Sequence, residues 1–141
     1  MWFQRIPNPA KVDGIRIFRT PFLVKGSAIC LPGIGIFLSS AIPEFAHVPI
    51  IQHEYGHFLD YQKGCEGDHK RFLGSKFLGF YLKIGMPSLL NLTPGFKNLR
   101  WFRGDHRVFW TEIRANRLAV AHFENYLAEG FTRRFPIQAM V

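Results

Sequence analysis

Cysteine is scarce in this chain. Of 141 residues only Cys30 and Cys65 are cysteines, and no CxxC pairs them. That excludes a dithiol redox motif and a zinc ribbon; a disulfide would need the strand near Cys30 to meet the loop at Cys65. The two are expected to be free thiols. Acidic residues are few as well, ten Asp and Glu against eighteen Lys and Arg, for a formal net charge of +8. The imbalance is local. Residues 1–62 hold five basic and four acidic residues, and residues 63–141 hold thirteen and six. Such an excess suits a solubilising surface or an anionic partner. Long apolar runs are missing too. "FLVKGSAICLPGIGIFLSSAI" is broken by Lys25 and by Pro32-Gly33, and "FLGSKFLGFYLKIGMPSLLNL" by Lys76, Lys83 and Pro87. Neither reaches the ~18 uninterrupted apolar residues of a membrane span. Contact of the second segment with a membrane surface is conceivable, but it is not expected. "MWFQRIPNPAKVDG" has no apolar core and does not read as a signal peptide. The expected location is the cytoplasm, or export without a classical signal peptide. Repeats, linkers and low-complexity tracts are absent.

What is present is apolar mass. The chain is 48% hydrophobic with fifteen Phe, too apolar for disorder, and long enough for one domain spanning residues 1–141 but not two. "GIRIFRT" alternates like a strand. "SAICLPGIGIFLSS" predicts a hairpin of Ala28–Leu31 and Ile34–Ser39 around Pro-Gly. A helix is expected from about Val48 to Gln62, with Pro49 in its first turn and Gly64 as its stop. Weaker helical patterning covers roughly Phe72–Ile84. A last long helix is expected from about His106 to Ala128, with Asp105 as N-cap and Gly130 beyond its end. Strands first and helices later indicate an α+β fold, a short antiparallel sheet followed by the helices.

The chemistry is concentrated in "IIQHEYGHFLDYQKG", residues 50–64. Residues four apart on an α-helix project about 40° from each other, so His53 and His57 can direct two imidazoles at one ion. Zinc takes such donors at about 2.0–2.1 Å, in a tetrahedron. Glu54 lies beside that ion without being placed to bind it, the position of a general base for an activated water. HExxH on a helix is the zinc-hydrolase pattern. Burying these three residues together with no metal would leave polar groups to satisfy. Gly56 leaves a bare spot on the helix where another element can pack.

A catalytic zinc takes three protein ligands and keeps one position open. Position 63, where a third histidine would extend the motif, is Lys63. Asp60 is too near along the same helix to complete the tetrahedron easily. His69 and His106 are candidates by type. Glu112 in "FWTEIRANRLA" is the strongest, because it sits on another predicted helix with Asn116 one turn on. Asn116 could hold the second nitrogen of a ligand histidine and so fix its tautomer.

HEYGH followed by ExxxN on a later helix resembles the gluzincin branch of zinc metallopeptidases. With "IGMPSLLN", the same stretches are also similar to small bacterial metallopeptidase-like proteins and to the metallopeptidase domains of some polymorphic toxins. The resemblance covers about residues 52–118. It implies a zincin-like domain with zinc as cofactor. It also implies His53, His57 and Glu112 as ligands, Glu54 as base, Asn116 behind a ligand, and a peptide or protein as substrate. It further implies a small sheet before the HExxH helix, with its edge strand over the metal, where an extended peptide could add. The chain is much shorter than a thermolysin-like enzyme and lacks most of that plan's substrate-binding subdomain. No motif assigns an oxyanion donor. His106 is the best candidate: on a continuous helix it would lie about 240° from Glu112, so it reaches the cleft only if the helix begins after it.

The expected activity is zinc-dependent peptide-bond hydrolysis. The alternatives are a non-catalytic zinc-stabilised binding or accessory protein, and a toxin or effector peptidase domain. A nucleic-acid binder is the least favoured class. "KNLRWFRGDHR" offers cations and aromatics, but no named module is present. The sequence does not set the oligomeric state.

Overall fold

The computed structural model describes residues 2–31, 33–65 and 110–138. The fold is α+β, a four-stranded sheet with helices packed on one face. The strands are β1 (Gln4–Arg5), β2 (Ile17–Thr20), β3 (Ala28–Leu31) and β4 (Gly35–Ser39). The helices are α1 (His47–Cys65), α2 (Trp110–Phe123) and the single turn α3 (Phe131–Arg134).

The sheet is mixed, not antiparallel throughout as expected. Its order is β1-β2-β4-β3. β3 and β4 form the predicted hairpin, with Cys30 opposite Ile36. Gly33 takes φ +85, and the Ile34 N–H donates to Leu31 O to close the turn. β4 then inserts beside β2 in parallel register, Ile17 opposite Ile36 and Arg19 opposite Leu38. Burial explains the order. Ile36 and Leu38 are wholly buried, whereas Ile29 on β3 is 40% exposed. The strand with most apolar surface to hide takes an inner place, and β3 lies outermost among the described strands. β1, which the sequence pattern did not reveal, pairs antiparallel with β2 on the other side.

α1 is buried nearly all round because it serves two neighbours. Ile51, Tyr55 and Phe58, spaced at i, i+4 and i+7, join Ile17, Ile36 and Leu38 in the core. His53, Gly56, His57 and Asp60, spaced at i, i+3, i+4 and i+7, face α2. The helix runs on through Gly64 to Cys65, beyond the expected stop. α2 is shorter at its end than expected. It stops at Phe123, Glu124 has φ +40, and a 3-10 turn Glu124–Tyr126 follows. Gly130, at φ +72, precedes α3 instead of closing α2. The expected helix at 72–84, the basic aromatic loop, Asp105, His69 and His106 lie outside the described residues. Among the described residues no helix is long and apolar enough to cross a membrane.

Candidate metal centre

α1 and α2 run antiparallel and very close. A Cβ on Gly56 would lie 2.8 Å from the carbonyl carbon of Ala115 and closer still to its oxygen. The bare glycine inside HEYGH therefore sets the separation of the helices. That separation brings Glu112 across to the two histidines. Glu112 Oε2 lies 3.0 Å from His53 Nε2 and 3.3 Å from His57 Nε2. Ligand atoms of all three residues fall within 4.8 Å of one another. Tetrahedral donors at about 2.05 Å from a zinc ion stand about 3.3 Å apart. The two Glu112 distances are close to that edge, and two imidazoles with a carboxylate are a donor set that could hold a metal ion such as zinc.

Asn116 fixes the orientation of His53. Its Nδ2 donates to Pro136 O at 2.7 Å, which settles the amide's direction. Its Oδ1 therefore faces His53 Nδ1, 2.6 Å away, and accepts a hydrogen bond from the Nδ1–H. Nε2 is then the nitrogen aimed at Glu112. Asp60, weighed as a ligand from the sequence, instead meets Arg114 Nε at 2.7 Å and lies outside the trio.

Glu54 is buried and stands apart from the trio, Oε1 3.9 Å from His53 Nε2. It accepts a hydrogen bond from the backbone N–H of Cys30 on β3. The ladder explains why that group is available. Ser39 N–H donates to Ser27 O, and antiparallel alternation then turns the peptide groups of Cys30 away from β4. Among the described residues no strand pairs with this side of β3, and its Cys30 N–H faces Glu54.

Without a metal, the charges lean on one another. Burial alone would depress the His57 pKa, but the Glu112 carboxylate, its hydrogen bond, and the charges of Glu54 and Asp60 lift it to about 9. Burial pushes Glu112 up, yet His57 and His53 hold it well below the usual carboxylate range. For Glu54, burial wins and raises the pKa; the two histidines and the Cys30 N–H only partly offset burial and the Glu112 charge. Burial, helped by Glu54, also holds the Cys30 thiol well above its ordinary value. Cys30 is a free, inert thiol here.

Sequence reasoning missed Phe135. Its ring stacks on His53 at 4.3 Å between centroids and 8° between planes. The chain after it is tied down by the Asn116 bond to Pro136 O and by Arg117 Nε donating to Ile137 O at 2.7 Å. Neither a lone Phe nor a backbone N–H carries a spacing signal, so neither was legible. Comparison with protein-family models, curated proteins and solved structures finds no match. The functional reading therefore rests on the geometry of the site.

Proposed function

We propose that this chain is a zinc-dependent metallopeptidase of the HExxH-plus-Glu kind, with His53, His57 and Glu112 holding the ion and Glu54 as general base. The observation that supports it most is the convergence of those three ligand atoms within 4.8 Å of one another, with a buried carboxylate next to them and the β3 strand alongside. Bound zinc supplies Lewis acidity for an amide carbonyl and for the attacking water. Glu54 takes the proton from that water and delivers it to the leaving amine. Its raised pKa suits a group that must both accept and return a proton. The edge of β3 can pair with an extended peptide through main-chain hydrogen bonds, which would lay a scissile bond beside Glu54. Asn116 keeps the His53 Nε2 lone pair directed at the ion.

The test uses two variants. Purified protein is expected to hold one zinc per chain and to cleave members of a mixed peptide library. Glu54→Gln keeps the zinc and loses turnover, because the amide preserves shape but accepts no proton. Glu112→Ala loses zinc. Zinc retained at one per chain in Glu112→Ala would refute the ligand set. Undiminished hydrolysis by Glu54→Gln would remove it from the mechanism.

A second reading is a zinc-stabilised binding or accessory protein without turnover. The burial of His53, Glu54 and Glu112 and the Phe135 ring over His53 favour it. Zinc content with no cleavage of any library peptide would move this reading ahead. Action as a toxin or effector domain would be the same chemistry on a delivered protein, and identifying the cleaved protein would test it.

A further inference from the structure

The sheet has a second face, turned away from α1 and from the metal centre. Ile17, Ile36 and Leu38 point inward to the core; alternation turns Phe18, Phe37 and Ile29, which are cross-strand neighbours, outward. Phe18 and Phe37 stack at 5.1 Å. Phe37 meets Phe3 edge-on at 5.8 Å, Phe3 meets Phe22 at 5.7 Å, and Phe22 stacks on Trp2 at 5.1 Å. Five rings therefore form one continuous row. Trp2, Phe3 and Phe22 are 68%, 49% and 57% exposed, although each is already held by another ring. An apolar patch of this kind on a water-facing surface marks a contact site.

The charge around the row selects the partner. Arg5 lies opposite Phe18 in register. The ladder extends to Arg16, whose carbonyl accepts from the Ile36 N–H, and alternation places Arg16 on the face of Phe18. Both arginines are exposed, as is Lys25 beside the exposed Val24. Residues 2–40 contain Arg5, Lys11, Arg16, Arg19 and Lys25 but only one acid, Asp13. A second copy of the chain fits poorly, because a two-fold contact would bring together two patches that both carry a net positive rim. Amphipathic rings at headgroup depth with a rim of Arg and Lys match an anionic lipid surface.

We infer that the outer face of the sheet, from Trp2 and Phe22 to Phe18 with Arg5 and Arg16, docks on anionic phospholipid bilayers. The aromatic row enters the headgroup boundary, the arginines meet lipid phosphates, and the metal centre stays on the far side of the sheet. The proposal is independent of the peptidase reading.

The experiment is co-sedimentation of the full chain with phosphatidylcholine vesicles, with and without phosphatidylserine. Wild type should bind the phosphatidylserine vesicles preferentially and be released as salt rises, since screening weakens each cation–phosphate contact. The pair Trp2→Ser/Phe22→Ser should weaken binding by about tenfold or more. Arg5→Glu/Arg16→Glu should abolish the preference for phosphatidylserine. All these side chains are exposed or half-exposed, and circular dichroism should stay that of wild type in both variants. Wild type that ignores the anionic vesicles would overturn the proposal. So would variants that sediment like wild type, or a dimer in sedimentation velocity that Trp2→Ser/Phe22→Ser dissociates. The salt dependence of wild type keeps the test decisive should a variant misfold.

Discussion

Asn116 has the most work of any single side chain beside the trio. It accepts from His53 Nδ1 and donates to Pro136 O, so it fixes an imidazole tautomer and anchors the tail that carries Phe135. Removing such an outer partner typically costs 10- to 100-fold, on the order of that range, in metal affinity. Asn116→Ala should therefore weaken zinc binding by about that factor, while Asn116→Asp, which keeps the acceptor, should stay much closer to wild type. Competition against a chelator measures both. Equal loss in the two variants would show that the tail anchor matters more than the imidazole bond. Asp60, by contrast, turns its carboxylate to Arg114 on the other helix and away from the trio.

Between elements, the decisive contact is α1 against α2. Gly56 meets the Ala115 carbonyl, His53 meets Asn116, His57 meets Glu112 and Asp60 meets Arg114. Rising numbers on one helix meet generally falling numbers on the other. Gln52 adds a clamp at one end, with Nε2 donating to Tyr126 O at 2.9 Å and Oε1 accepting from Ala128 N–H at 2.8 Å. Gly56→Ala has no room, because the obstruction is backbone and not the end of a flexible side chain. Overpacking of this kind costs about 1–3 kcal/mol. The variant should unfold at lower denaturant and, by pushing Glu112 away, should also bind zinc more weakly. Unchanged stability together with unchanged zinc affinity would mean that the helices do not pack this closely.

For the whole molecule, the buried charges make stability depend on pH in a definite direction. In the metal-free chain His57 has its folded pKa raised from 6.5 to about 9. Its stabilising contribution is complete below pH 6.5 and disappears as pH rises through about 9. Glu54, also raised, acts in the same direction above its ordinary 4.5. Glu112, lowered, contributes above 4.5 and loses that contribution as pH falls through its depressed value. The chelated protein should therefore lose stability from pH 6.5 towards 9 in denaturant melts. Zinc affinity should rise over the same window, since the ion requires a neutral His57. Parallel trends in the two measurements would contradict the placement of His57 against Glu112.

The sequence by itself determined what local geometry controls. A turn of 3.6 residues puts His53 and His57 on one face whatever surrounds them, and likewise Glu112 and Asn116. The Pro-Gly between two apolar runs specified the β3–β4 hairpin, because a glycine there accepts φ +85. The α+β class followed from the order of those patterns. Only the tertiary structure decided which pairs met. Of the four third-ligand candidates, only Asp60 and Glu112 lie among the described residues, and the close approach at Gly56 brings Glu112 to the histidines. The sheet order was equally hidden, since strands of two to five residues carry no register of their own, and β4 took an inner place because burying Ile36 and Leu38 outweighs keeping neighbours in chain order. The Cys30 N–H beside Glu54, the Pro136 carbonyl on Asn116 and the Phe135 ring on His53 were illegible for the same reason. Backbone groups are alike in every residue, and a contact across dozens of positions is fixed by packing in three dimensions.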